Sequence, residues 1–130
     1  MIELPINYLS REHEDDCLIL AQKMSDSEKP DCYYMALAYL FTLDSECKKH
    51  INDLFDFKEY CIKPDTALSC AWQTGTSLKT TRLAYNLFNG YTGQADTDDN
   101  ARYYTPEYLF CCPYAKYYYE AIRIRYNEYC

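Results

Sequence analysis

The sequence predicts a mainly α protein, a single domain of about six short helices with little or no sheet. Three observations predict it. Apolar residues recur every three or four positions through most of the chain, side chains that cap helices precede those runs, and only 3 glycines occur in 130 residues. A hydrophobic fraction of 48% excludes a disordered chain.

The first helix starts at Ser10, its N-cap, with Glu12, Glu14, Asp15 and Asp16 in or near the first turn, where the helix dipole favours negative charge. Cys17, Leu18, Leu20, Ala21 and Met24 follow as its apolar residues, and Ser25 to Pro30 ends it. Asp31 caps a second helix, Cys32 to Leu43, apolar nearly all round and therefore the expected central one. Asp44 or Ser45 caps a third, in which Cys47, His50, Ile51, Leu54 and Phe55 keep helical spacing. The pattern of Asp56 to Pro64 fits either an extended segment or a helix end. Pro64-Asp65-Thr66 opens a short element leading to Trp72, and Thr74 to Ser77 breaks the chain again. Leu78 to Asn89 reads as a helix capped by Thr76 or Ser77 and closed by Gly90. Residues 92–104 form the expected loop. Thr105-Pro106 starts the next helix, and the last runs from Pro113 to about Tyr126. Nothing divides residues 1–130 into two domains.

Eight cysteines raise the question of compartment. The opening Met1-Ile2-Glu3-Leu4-Pro5 has no basic or apolar leader pattern, and most cysteines fall within helical patterns as small apolar residues. The expectation is a cytoplasmic protein with reduced, mostly buried thiols. Its longest apolar run, Met35 to Phe41, is about a third of the roughly 20 residues a membrane span needs.

Little in the sequence points to catalysis. Cys47 and His50 share a helix face and Cys111-Cys112 adds thiols, but no C-x-x-C pair exists, so no metal and no cofactor is expected. His13 and His50 are the only histidines; spacing pairs neither with a cysteine, and His13 reads as a solvated residue of an acidic turn. The protein is expected not to be an enzyme. Thr76, Ser77, Lys79 and Arg82 form an alternative site, a helix start whose N–H groups, hydroxyls and cations suit an anion such as a nucleotide phosphate. It lacks the glycine pattern of a P-loop.

Charge is distributed unevenly. Residues 1–65 hold 14 acidic and 7 basic side chains, whereas residues 66–130 hold 6 of each. The formal charge of -7 and a pI of about 4.7 exclude a general nucleic-acid binder. Nine of 16 tyrosines follow residue 100, and Tyr117-Tyr118-Tyr119 cannot all face one core, since successive helical side chains lie about 100° apart. Tyr117 and Tyr119 with Arg123 have the composition of a binding surface or a homodimer interface.

At Leu54-Phe55-Asp56-Phe57, Ile62-Lys63-Pro64, Trp72 to Ser77 and Leu83 to Tyr91 the chain resembles a domain-of-unknown-function family of small proteins. Members are carried by Firmicutes phages, plasmids and conjugative elements, and the likeness runs from about Glu12 to Tyr126. The resemblance implies a counter-defence role, such as that of an anti-CRISPR inhibitor occupying the nucleic-acid groove of a host nuclease. The partner expected from it is a protein with a basic surface, such as a Cas nuclease or its guide complex. Glu12, Glu14, Asp15 and Asp16, with Asp96, Asp98 and Asp99 of the loop, are the candidate contacts, because negative side chains steer toward such a groove.

Overall fold

The structure is a computed structural model that describes residues 5–130; Met1 to Leu4, on which the expectation of no leader rested, lie outside them. The chain is mainly α. Helix α1 (Arg11–Ser25) begins where Ser10 Oγ accepts a hydrogen bond from the His13 N–H at 3.1 Å, and stops at Asp26, which turns left-handed with φ 51°. Its inner face buries His13, Cys17, Ala21 and Met24.

Helix α2 (Cys32–Leu43) is the centre of the fold. The Asp31 carboxylate accepts from the Tyr33 and Tyr34 N–H groups, and every residue from Met35 to Leu43 is buried. A helix apolar on all sides needs neighbours on all sides. Helices α1, α6 (Gly75–Asn89) and α8 (Ala115–Arg125) supply them. Burying a residue such as Phe41 contributes about 2–3 kcal/mol. Three fully buried tyrosines fasten the layers because each hydroxyl finds a partner. Tyr39 donates to the Asn7 carbonyl at 2.6 Å and Tyr85 to the Leu54 carbonyl at 2.6 Å, while Tyr118 and Thr80 share a bond of 2.7 Å.

Between α2 and α6 the chain departs from the sequence reading. The expected third helix is two, α3 (Ser45–Lys49) and α4 (Ile51–Leu54), because His50 leaves helical geometry at φ -110°, ψ 34°. The undecided stretch is a two-residue antiparallel hairpin, β1 (Phe55–Asp56) with β2 (Cys61–Ile62), in register Phe55 to Ile62. The Asp56 carboxylate accepts from the Lys58 and Glu59 N–H groups to form its turn. A four-residue helix α5 (Pro64–Ala67) follows.

Helix α6 starts three residues earlier than its apolar pattern. Thr74, not Thr76 or Ser77, is the N-cap, and Thr74 with Ser77 forms a reciprocal capping box. Gly90 closes α6 as expected, left-handed at φ 79°. After the loop come a 3-10 turn (Ala101–Tyr104), α7 (Pro106–Leu109), whose cap is Thr105, and α8. Residues 101–104 thus leave the expected loop because Asn100 caps them. No helix among the described residues is long and apolar enough to cross a membrane.

Candidate functional site at the outer face of helix α1

The acidic first turns of α1 divide into paired and unpaired carboxylates. Lys48 of α3 donates to Asp16 at 2.6 Å and reaches Glu12 at 3.4 Å. Glu14 and Asp15 are exposed and have no ion-pair partner among the described residues. One helical turn on, Leu18 and Ile19 are also exposed, at 41% and 66%. Positions three and four apart share a face, so Glu14, Asp15, Leu18 and Ile19 form one continuous acidic and apolar strip. Leu18 is one of the apolar residues of the first helix's pattern. It lies outside because the buried stripe of α1 runs His13, Cys17, Ala21, Met24, leaving Leu18 one step off it. Apolar pattern alone could not separate Leu18 from Leu20, which is half-buried.

The same end of α1 meets α8. A groove of about 580 Å³ is lined by Ile6, Tyr8, Arg11, Glu14, Lys116 and Tyr117, among others, so Glu14 and Tyr117 face one space. Tyr119, 62% exposed, lies on a different face of α8. Arg123 turns inward to an ion pair with Glu120, which is buried and accepts from the Asn7 N–H at 3.2 Å.

The loop acids are not equivalent either. Asp96 and Asp98 are exposed, whereas Asp99 is turned in and accepts from Arg82 Nε at 3.0 Å and from the Tyr104 hydroxyl at 2.8 Å. The loop is tied to α6 and the 3-10 turn, while the acidic turn of α1 is tied to α3. The two acidic groups are therefore separate features.

Most of the anion site read at the start of α6 is engaged internally. Ser77 is buried in the capping box and donates to Gln73 Oε1 at 2.6 Å; Thr76 accepts through its carbonyl from Thr80. Arg82 is buried, and besides Asp99 it reaches the Tyr108 hydroxyl through Nη1 at 3.2 Å. Lys79 points elsewhere, to the Cys111 carbonyl at 2.7 Å.

Two further expectations change. His13 is buried rather than solvated: Nδ1 accepts from the Leu9 N–H at 3.0 Å and Nε2 faces the Tyr39 carbonyl at 2.9 Å. Burial holds its imidazole below the usual 6.5, outweighing the Tyr39 carbonyl and Asp16, which pull the other way. All eight thiols are free, but only Cys17 and Cys47 are buried; Cys61, Cys111 and Cys130 are exposed. Burial is the main cause that pushes Cys17 up to about 12 and Cys47 higher still, so both thiols are held protonated. His50 stacks flat on Trp72, ring centroids 4.5 Å apart, and Trp72 donates to Asp53 at 3.0 Å. Among the described residues, no group of three or more His, Cys, Asp or Glu side chains is placed to hold a metal ion.

The family model DUF6075, a family of unknown function, matches residues 3–130, nearly the whole chain. The chain belongs to the DUF6075 family. No curated protein and no solved structure matches it. For this DUF6075 member the site rests on its own geometry: exposed acids beside exposed aliphatic side chains, with His13 and the thiols of Cys17 and Cys47 inside.

Proposed function

We propose that the protein works by binding another macromolecule through the outer face of α1. In this reading it is a small acidic counter-defence protein of a mobile element, an anti-CRISPR-like inhibitor acting in the cytoplasm of a bacterial host. Its target is the basic nucleic-acid-binding surface of a nuclease. One observation carries the reading: Leu18 and Ile19 stand exposed in direct continuity with the unpaired carboxylates of Glu14 and Asp15. Acids alone are an ordinary solvated helix start. Two large aliphatic side chains beside them add an anchor, each contributing about 1.5–3 kcal/mol when covered. Carboxylates steer the approach to a basic groove and compete with phosphate; the aliphatic pair sets the lifetime of the complex.

The test is cleavage of target DNA by a purified RNA-guided nuclease of a host strain, with and without the protein, alongside direct binding to the nuclease. Glu14→Lys with Asp15→Lys is expected to slow association and weaken inhibition more at low salt than at high. Leu18→Ser with Ile19→Ser is expected to speed dissociation. Inhibition by both double variants equal to that of the parent protein would remove the α1 face from the interaction.

A further inference from the structure

A second surface of the molecule has the opposite character. Lys79 of α6, Arg102 and Tyr103 of the 3-10 turn, and Tyr108 and Cys111 at α7 line a groove of about 470 Å³, the size range of small-molecule sites. Lys79 Nζ lies 4.9 Å from the Tyr108 ring centre and Arg102 lies 4.8 Å from that of Tyr103. The buried Arg82 guanidinium sits 4.7 Å from the Tyr103 ring centre and 5.7 Å from that of Tyr108. The two rings meet edge to face at 5.0 Å. Lys79 and Arg102 on the groove wall, and Arg82 buried off it, each hold a ring in place.

The charges do not cancel. Arg82 is matched by Asp99. Lys79 bonds to a carbonyl and Arg102 to the Tyr103 hydroxyl at 2.7 Å, and neither has a carboxylate within ion-pair distance among the described residues. Among the described residues Glu107 is the one acid on the groove wall; it is exposed and forms no ion pair with any of them. In a chain of net charge -7, two cations without a carboxylate partner on the wall of one aromatic groove need a reason.

We propose that this groove binds a small ligand that joins a phosphate to a planar ring, of the nucleoside monophosphate class. The phosphate lies between Lys79 Nζ and the Arg102 guanidinium, where charge-assisted hydrogen bonds replace their present neutral partners. The ring lies against the Tyr103–Tyr108 pair. This is distinct from an anion at the start of α6, of which it keeps only Lys79, and it does not depend on the α1 face.

Calorimetric titration of the full chain with AMP, GMP, CMP and UMP, with adenosine, and with inorganic phosphate tests it. At least one monophosphate is expected to bind, with adenosine and phosphate each weaker by about tenfold or more, since each lacks half of the contacts. Lys79→Gln and Arg102→Gln are each expected to weaken that binding by about tenfold while melting at the parent temperature. Arg102 is exposed and Lys79 half-buried, so the melting temperature separates a lost ligand contact from a lost fold. Absence of binding by all four monophosphates, affinity unchanged in both variants, or a glutamate-rich peptide displacing the nucleotide as the better ligand would overturn the assignment.

Discussion

Arg82 and Asp99 hold the long loop against α6: Arg82 Nε donates to Asp99 Oδ1 at 3.0 Å across 17 residues of chain. Both side chains are largely withdrawn from water, and each has further partners, the Tyr104 hydroxyl on the carboxylate and the Tyr108 hydroxyl on the guanidinium. A charge in that position is tolerated because Asp99 pairs it and the Tyr108 hydroxyl and the Tyr103 ring face it. One pair thus fixes the loop, the 3-10 turn and α7 at once.

Removing one partner exposes that dependence. Asp99→Ala leaves the Arg82 charge buried without its counter-ion and is expected to cost about 3 kcal/mol in urea unfolding. Asp16→Ala breaks the Lys48 pair at the surface and is expected to cost less than about 1 kcal/mol. Equal losses would mean that the Arg82 pair is no stronger than a surface contact.

His13 makes stability depend on pH. Its folded pKa lies below the 6.5 of an unfolded imidazole, so between those two values the unfolded chain binds more protons. The contribution of His13 is full above about 6.5 and is lost as the pH falls through the folded pKa. Geometry gives the reason: a proton on Nδ1 faces the Leu9 N–H, which is itself a donor. An NMR titration of the imidazole is expected to place His13 below 6.5. The urea midpoint should fall more steeply from pH 7 to pH 5 in the parent than in His13→Gln.

What could be read from the sequence was local. Ser10, Asp31, Gly90 and Thr105 cap where they were expected to, and of the pair Asp44 or Ser45 it is Asp44 that caps, because a cap needs only its own residue and the next few backbone groups. Thr74 escaped notice because its box partner is Ser77 rather than Glu or Gln. The burial of His13 and the turning-in of Asp99 depend on groups 26 and 17 residues away, and one of these is a backbone carbonyl that no side-chain pattern records. For the α1 face, Glu14 and Asp15 were legible as charge. The exposure of Leu18 and Ile19 was not, since it depends on which side of α1 meets α2.

Thiol reactivity should divide the eight cysteines. Cys61, Cys111 and Cys130 are exposed and are expected to react with an aromatic disulfide reagent in the native protein within minutes. Cys17 and Cys47, buried and with thiols pushed up by desolvation, are expected to react only on unfolding. Mass mapping of the modified sites checks this. Early labelling of Cys17 would show that α1 detaches from α2 in the native state.

The glycines of the loop region provide the sharpest test of how α6 and the loop are joined. Gly90 and Gly93 both have φ 79°, so alanine at either must adopt a left-handed backbone, at about 1–2 kcal/mol. At Gly90 the added carbon meets open space, and the cost stops there. At Gly93 it would stand 2.2 Å from the Asp99 carbonyl oxygen, the same oxygen that accepts from the Gln94 N–H at 2.8 Å. Backbone cannot swing aside as a side chain can, so the loop must open and carry the Asp99 carboxylate away from Arg82. Gly93→Ala is therefore expected to lose about 3 kcal/mol or more, the left-handed strain plus overpacking. Combined with Asp99→Ala it should lose less than the sum of the two, because the first change already weakens the contact that the second removes. Full additivity in a double-mutant cycle would mean that the glycine turn and the Arg82 pair support the loop independently.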